Sequence, residues 1–139
     1  MIPPQPLTVH LMTASLTPGD AIGNYLLTTA RILRGWGVRV QIYADYVAPQ
    51  FGAQATLSRF YRPRGSDILW FHFSIDSPNV QTALASDDYL LVDYHGISPP
   101  TLFPAGSYLR GLCEQAIATR PALAAAADAC IVHSDYMRG

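Results

Sequence analysis

Short β-rich apolar runs alternate with helical stretches along this chain, and this alternation limits its fold more than any other feature. Strands separated by helices need crossover connections, and such connections produce a parallel sheet. The sequence therefore predicts an α/β domain with an open parallel sheet and helices on both faces. The predicted strands are Leu7 to Met12, Val38 to Ala44, Asp67 to Phe73, Tyr89 to His95 and Ala129 to His133. The predicted helices are residues 21–37, Ser77 to about Ala85, and Ser107 to Thr119.

Three local patterns add detail to these helices. The first helix has Asp20 as its predicted N-cap and one inward face, formed by Ile22, Leu26, Thr29, Leu33 and Trp36. The inward residues predicted for the last helix are Leu109, Leu112 and Ala116, with Pro121 starting a separate Ala-rich turn. The region between Ala48 and Gly65 mixes Pro, Gly and aromatic residues, and it is compatible with a short helix at Thr56 to Tyr61.

Length and composition are those of one globular domain, residues 1–139. Half of the residues are hydrophobic, 14% are charged and the net charge is −1. The basic residues are scattered, so the sequence predicts no nucleic-acid partner. The apolar runs are too short for a transmembrane segment, and the Pro-rich start does not read as a signal peptide. We therefore expect a cytoplasmic protein.

Histidines stand at or near the ends of three predicted strands. His72 lies near the end of the third strand, His95 ends the fourth and His133 ends the fifth. Ligands of open parallel sheets bind beyond the carboxyl ends of the strands, so these side chains are expected to converge on a site. The alternative is that each histidine only caps its strand. His10 falls inside the first strand, where a structural role is expected.

The loop after the first strand carries Gly19, Asp20, Gly23 and Asn24. Glycines at a strand-to-helix turn allow a ligand to approach the backbone, and a helix N-terminus attracts anions. The spacing matches neither a dinucleotide fingerprint nor a P-loop, since no Lys follows the glycines. Glycines required only for packing are the alternative.

Two other chemistries fit the residues less well. The three strand-end histidines with Asp76 or Asp93 could in principle hold a metal, but no two of them have a ligand-like spacing, and no metal site is predicted. A serine hydrolase is disfavoured because no GxSxG elbow is present. No cofactor is predicted.

Several segments resemble the N-terminal domains of family 4 glycosyltransferases in order and spacing. The most specific are GDAIGN (residues 19–24), HFS (residues 72–74) and DYHGISPP (residues 93–100). The resemblance extends over nearly the whole chain, from about Val9 to Arg138.

That resemblance implies the GT-B architecture, in which two Rossmann-like domains face a cleft. The N-terminal domain receives the acceptor and the C-terminal domain holds the sugar nucleotide, with transfer that usually retains anomeric configuration and needs no metal. It implies that Gly19 to Asn24 lie beside the donor phosphates and the acceptor, and that His95 lies next to the donor sugar as the catalytic residue. His72, Ser74 and Ser134 resemble further cleft-lining residues.

Gly96 departs from the family pattern, which usually has Asn or Asp directly after this histidine. The donor-binding domain lies outside residues 1–139, so we expect this chain to form one incomplete half of the GT-B architecture and to be inactive alone. We also expect it to self-associate, most simply as a homodimer, and to bind a nucleotide sugar and a glycan or small-molecule acceptor only within the complete enzyme. The alternative function is a non-catalytic module that binds a glycan or a protein.

Overall fold

The computed structural model describes residues 6–133, and over that range the chain forms six strands and three α-helices. In chain order these are β1 (Thr8–Leu16), α1 (Ala21–Gly35), β2 (Arg39–Val47), β3 (Thr56–Leu57), β4 (Ile68–Phe73), α2 (Asn79–Ala85), β5 (Tyr89–Tyr94), α3 (Tyr108–Ala126) and β6 (Ala129–Val132). Short 3-10 turns lie at Pro49–Phe51, Ser58–Phe60 and Pro100–Leu102.

All six strands belong to one sheet with the order β3-β2-β1-β4-β5-β6, and every neighbouring pair is parallel. From β1 the chain first adds strands on one side and then returns to add β4, β5 and β6 on the other. The strand order therefore reverses between β1 and β4, as it does in Rossmann-like domains. The predicted α/β class with an open parallel sheet is confirmed.

Helices cover both faces of the sheet, and each face has its own apolar core. On one face, α1 packs through Leu26 and Ala30 against β1 and β2. On the other face, Val80 of α2 and Leu123 of α3 pack against β4 and β5. Side chains alternate along each strand, so neighbouring residues of β4 and β5 enter different cores.

The predicted inward face of α1 is correct only in part. Leu26 is buried, but the other fully buried positions of the helix are Gly23 and Ala30. Trp36 is 75% exposed, because α1 ends at Gly35 and the chain turns through Gly37, whose φ of +83° is left-handed. Trp36 therefore lies beyond the last regular turn, where the helical repeat no longer determines its direction.

Two predictions in the second half are wrong in detail. Pro121 does not start a new turn, since α3 is one helix with this proline on its exposed side and Leu123 buried beyond it. Leu109 is 47% exposed, and the fully buried residues of α3 are Cys113, Ala116 and Leu123. The helix is rotated so that small side chains face the sheet and permit close packing.

The segment from Thr56 to Tyr61 is not a regular helix. It forms the two-residue strand β3 and the 3-10 turn Ser58–Phe60. Within residues 6–133, none of the helices combines the length and the apolar character that crossing a membrane requires.

Candidate functional site

A cleft of about 550 Å³ opens at the carboxyl edge of the sheet, on the α1 side of the reversal between β1 and β4. Its walls come from the first turns of α1, from the segments that follow β4, β5 and β6, and from Cys113 of α3. In open α/β sheets this is where ligands bind. The lining residues are Ala21, Ile22, Tyr25, Ser74, Ile75, His95, Gly96, Ser98, Phe103, Cys113 and His133.

Three adjacent parallel strands bring the polar side chains of this site together. His72 is the penultimate residue of β4 and pairs in register with Asp93 of β5. His95 directly follows the last residue of β5, and His133 directly follows β6. Because neighbouring strands are parallel and in register, residues far apart in sequence reach the same edge of the sheet.

Asp93 is the centre of the hydrogen-bond network. Its side chain is fully buried, and its Oδ2 accepts a hydrogen bond from Trp70 Nε1 at 3.0 Å. Its Oδ1 lies 2.7 Å from His133 Nε2 and 3.4 Å from His95 Nε2. The carboxylate therefore connects β4, β5 and the residue after β6 through one acidic group.

The imidazoles form a row that extends from the protein interior to the cleft. His72 lies parallel to the Trp70 indole, His95 is nearly parallel to His72 with ring centroids 5.2 Å apart, and His133 is nearly parallel to His95 at 4.8 Å. The Tyr25 ring meets all three imidazoles edge-on, at centroid distances of 5.4 to 5.6 Å. Such edge-to-face contacts add stability beyond burial alone, so Tyr25 of α1 fixes the row against the helix.

Burial keeps two of these imidazoles neutral. It lowers the pKa of His72 to about 3, and it also lowers the pKa of His95, while in both cases the Asp93 carboxylate opposes the shift. Burial raises the pKa of Tyr25, and the nearby Asp93 carboxylate raises it further. At neutral pH His72 and His95 are therefore uncharged, and the Tyr25 phenol beside them is protonated.

His72 and His95 share a hydrogen bond of 3.0 Å between Nδ1 of the first and Nε2 of the second. Two neutral imidazoles can form it only when one nitrogen carries the proton and the other accepts it. His72 Nε2 is buried and has no hydrogen-bond partner among residues 6–133. An unpaired buried polar atom is uncommon in folded proteins, and His10 Nδ1 and Asn79 Oδ1 are the other such side-chain atoms in the described part of the chain.

Four of the residues predicted from the sequence come together here. Ser74, His95 and His133 line the cleft, and His72 lies directly beneath His95. The expected convergence of strand-end side chains is therefore observed in the structure. Ser134 lies outside the described residues.

The loop residues Gly19, Asp20, Gly23 and Asn24 do not line the cleft. Asp20 is the N-cap of α1 and accepts a hydrogen bond from the Ile22 backbone N–H at 3.1 Å. Gly23 is buried, and a Cβ atom at this position would lie 3.0 Å from Leu16 Cδ1, so its small size lets the helix approach β1. The structure thus gives both residues a packing or capping role and places Ala21, Ile22 and Tyr25 at the cleft.

Sequence reasoning did not identify Tyr25 or Trp70 and considered Asp93 only as one possible metal ligand. Tyr25 follows Ala21 by one helical turn, so it reaches the cleft from the same side of α1. A polar residue within the apolar run YLLVDYH was the available signal for Asp93, since buried strands rarely contain an acid without a partner.

His10 belongs to a different cluster, at the amino end of the sheet and on its other face. Its Nε2 lies 2.9 Å from Asp67 Oδ2, and its ring contacts Tyr43 and Tyr61. Hydrogen bonds from the Arg64 guanidinium hold the pKa of Asp67 well below its usual range. This arrangement agrees with the structural role expected for His10.

Three side chains of the site could also hold a metal ion. Ligand atoms of His72, Asp93 and His95 all lie within 4.8 Å of one another. Sequence spacing disfavoured such a site because short ligand spacings arise on one helix or one hairpin. Here the three ligands come from two paired strands, for which sequence spacing carries no information.

The cleft, its neutral imidazoles and its buried carboxylate are thus defined by the chain's own residues. No family model, curated protein or solved structure matches this chain. The function of the cleft must therefore be inferred from its geometry and from the short motifs that surround it.

Proposed function

We propose that this domain forms the acceptor side of a glycosyltransferase cleft, in which a hexosyl group passes from a nucleotide sugar to a glycan or a small-molecule acceptor. In this proposal a second Rossmann-like domain holds the nucleotide sugar across the cleft. The domain described here contributes the residues that receive the acceptor, and His95 is the residue nearest the reacting centre.

The position of the cleft supports this assignment. It lies at the carboxyl edge of a parallel sheet, beside the reversal of strand order, where Rossmann-like domains bind their ligands. The motif segments GDAIGN, HFS and DYHGISPP, which lie far apart in sequence, each contribute at least one residue to its wall. The two-domain arrangement requires these three segments to line one common wall of the cleft.

The chemistry of the cleft wall suits sugar hydroxyls better than phosphates. Ser74, Ser98, Tyr25 and the imidazoles offer neutral donors and acceptors, and Phe103 adds an aromatic surface. Among the described residues that line the cleft there is no arginine, and the chain contains no lysine. A leaving diphosphate needs positive charge to stabilise it. We therefore assign the diphosphate to the partner domain and the hydroxyl-rich acceptor to this one.

The single observation that carries the proposal is the way in which His95 is held. Its Nε2 is engaged by His72 Nδ1 at 3.0 Å, which leaves Nδ1 as the ring nitrogen available to a ligand in the cleft. Burial keeps the ring neutral, so it can donate or accept a hydrogen bond without carrying charge. A neutral imidazole fixed from behind is suited to orienting a sugar hydroxyl.

The lack of an arginine or lysine in the cleft wall also favours a second function, that of a non-catalytic module that binds a glycan. Without a cation to stabilise a leaving group, the cleft of this domain can bind saccharides but has no means of transferring them on its own. The two functions share the acceptor site and differ in whether a donor domain acts across it.

Saccharide titration of the purified chain, followed by NMR of its histidine and tyrosine side chains in the presence of EDTA, tests the proposal. We expect acceptor saccharides to shift the resonances of His95 and Tyr25, and nucleotide sugars to shift them far less. Tyr25→Ala should abolish the saccharide response, whereas Tyr108→Ala, which removes an aromatic ring exposed on α3, should preserve it. Tight binding of a nucleotide sugar without any saccharide response would show that the acceptor-side assignment is wrong.

A transfer assay then separates the enzyme from the binding module. The chain should form no product from a nucleotide sugar alone, and it should form product when a donor-binding domain is supplied. Saccharide binding that never leads to transfer with any donor domain would favour the non-catalytic module. Robust turnover by the isolated chain would contradict the division of roles between two domains.

A further inference from the structure

The side chains around Asp93 converge more closely than a saccharide site requires. His72 Nδ1 and His95 Nε2 lie 3.0 Å apart, and the carboxylate oxygens of Asp93 lie 3.4 Å from His95 Nε2 and 3.8 Å from His72 Nδ1. His133 Nε2 lies 2.7 Å from Asp93 Oδ1. One ligand atom each of His72, Asp93 and His95 thus lies within 4.8 Å of the others beneath the cleft, and His133 contacts this group through Asp93.

These separations match the ligand spacing of a tetrahedral zinc site. Zinc binds imidazole nitrogen and carboxylate oxygen at about 2.0–2.2 Å, which places any two ligand atoms about 3.4 Å apart. The separations between His72, His95 and Asp93 lie within about half an ångström of that value, with His72 nearer Oδ2 of the carboxylate and His95 nearer Oδ1. The metal could therefore enter with small rotations of side chains and without movement of the sheet.

We propose that His72, Asp93 and His95 bind one divalent transition-metal ion, with Zn²⁺ as the ion that best fits this ligand set. Imidazole and carboxylate ligands suit Zn²⁺ and disfavour Mg²⁺ and Ca²⁺, which require oxygen ligands. His133, whose side chain is 35% exposed, holds the Asp93 carboxylate from the cleft side as a positioning residue. The inference stands independently of the acceptor role of the cleft.

Metal binding requires no proton to leave the imidazoles. Each neutral ring carries one N–H, and the proton now shared between His72 Nδ1 and His95 Nε2 moves to the other nitrogen of its ring. Both inward lone pairs then point at the ion, and the positive ion neutralises the buried Asp93 carboxylate. No arginine contacts this carboxylate in the described part of the chain, so a cation supplies the charge that the protein does not.

Trp70 supports the site from outside the ligand set. Its Nε1–H donates to Asp93 Oδ2, which orients the carboxylate and leaves Oδ1 directed at His95 and His133. Hydrogen bonds that orient a ligating carboxylate in this way are a regular part of metal sites.

The second His-Asp cluster of the domain provides a contrast. His10, Asp67 and Asp88 also approach one another closely, but Arg64 donates hydrogen bonds to both carboxylate oxygens of Asp67. Asp88 in turn accepts from backbone N–H groups of Gly65 and Asp67. The ligand atoms there already have donors, so we expect no metal at this cluster, and His10→Gln serves as a matched histidine control.

Calorimetric titration of the untagged, metal-free chain with Zn²⁺ tests the proposal. We expect one ion per chain with a Kd of about 1 µM or lower. Asp93→Asn or His95→Gln should weaken binding by about 100-fold or more, since loss of an outer partner alone costs about 10–100-fold. His10→Gln should bind as the unchanged chain does. His133→Gln removes the partly exposed partner of the Asp93 carboxylate, so it provides a variant that is expected to fold and should still weaken binding about tenfold.

Cobalt substitution gives a second readout that does not depend on any variant. Co²⁺ held by two imidazoles, a carboxylate and a water in the fourth position should show the intense visible bands of a tetrahedral ion, with no thiolate-to-metal charge-transfer band. Such a charge-transfer band would place the metal on Cys113 or Cys130 and overturn the proposal. Absence of Zn²⁺ binding at about 100 µM, or equal binding by His133→Gln and the unchanged chain, would also overturn it.

Discussion

The hydrogen bond from Trp70 to Asp93 predicts a measurable energetic coupling between β4 and β5. The Trp70 indole N–H donates to a fully buried carboxylate at 3.0 Å. A hydrogen bond to a charged group contributes about 1.5–3 kcal/mol, and a bond between neutral groups about 0.5–1.5 kcal/mol. Trp70→Phe removes the donor and keeps an aromatic ring against His72, so it should lower the free energy of unfolding by about 2 kcal/mol.

A double-mutant cycle isolates the free energy that the hydrogen bond between Trp70 and Asp93 contributes. In Asp93→Asn the acceptor at this position is neutral, so Trp70→Phe should cost about 1 kcal/mol less than it does beside the carboxylate. Urea denaturation of the metal-free chain at pH 7, followed by far-UV circular dichroism, measures all four free energies without relying on tryptophan fluorescence. Trp36→Phe is the matched control, because Trp36 is largely exposed and its replacement should change stability by no more than about 0.5 kcal/mol.

Two results would refute this reasoning. If Trp70→Phe costs the same beside Asp93 as beside Asn, the indole N–H makes no charge-assisted bond. If Trp70→Phe and the control Trp36→Phe lower the free energy of unfolding equally, Trp70 contributes only through its aromatic ring. The hydrogen-bond network around Asp93 then does not contribute to stability.

Three further predictions follow from other parts of the molecule. Asp20→Ala removes the cap of α1 and should lower stability by about 1 kcal/mol while leaving saccharide affinity unchanged; loss of affinity without loss of stability would make Asp20 a binding residue after all. Burial and the hydrogen bond to Asp88 raise the pKa of Tyr61, so its stabilising contribution is complete below about pH 10 and decreases as pH rises further. Tyr61→Phe should therefore lose less stability than the unchanged chain above that pH in alkaline denaturation, and parallel curves would contradict the raised pKa. Strand β6 is an edge of the sheet within the described residues, and light scattering across a range of concentrations should reveal a dimer, whereas a constant monomer mass would contradict self-association.

The sheet was predictable because its signals are local and repeated. A run of apolar residues such as DILWFHF can be satisfied only by a buried strand, and the helical stretches between such runs require parallel crossovers. Parallel geometry then carries His72, His95 and His133 to one edge whatever their sequence separation. This part of the site needed no knowledge of packing, and it was predicted correctly.

Features that depend on how one element is rotated against another were not predictable from the sequence. Tyr25 reaches the imidazoles only because Gly23 lets α1 approach Leu16, and no local pattern encodes that contact. The same holds for α3, whose inner face is formed by Cys113, Ala116 and Leu123, of which only Ala116 was predicted. Pro121 removes one backbone hydrogen bond, yet the buried Leu123 beyond it outweighs the local tendency to break the helix.

The two faces of β5 bury side chains of different character. Leu90 and Val92 of this strand are buried in the core on the α2 and α3 side, as expected for a parallel strand covered on both faces. On the α1 side the same strand buries Asp93, and a buried charge costs more stability than an apolar residue of similar size would. The buried carboxylate lies at the carboxyl ends of the strands. At the centre of the sheet, Leu11 and Ile42 fill the α1 core instead. Asp93 therefore lies at the edge where ligands of open α/β sheets bind, as the metal site that we propose requires.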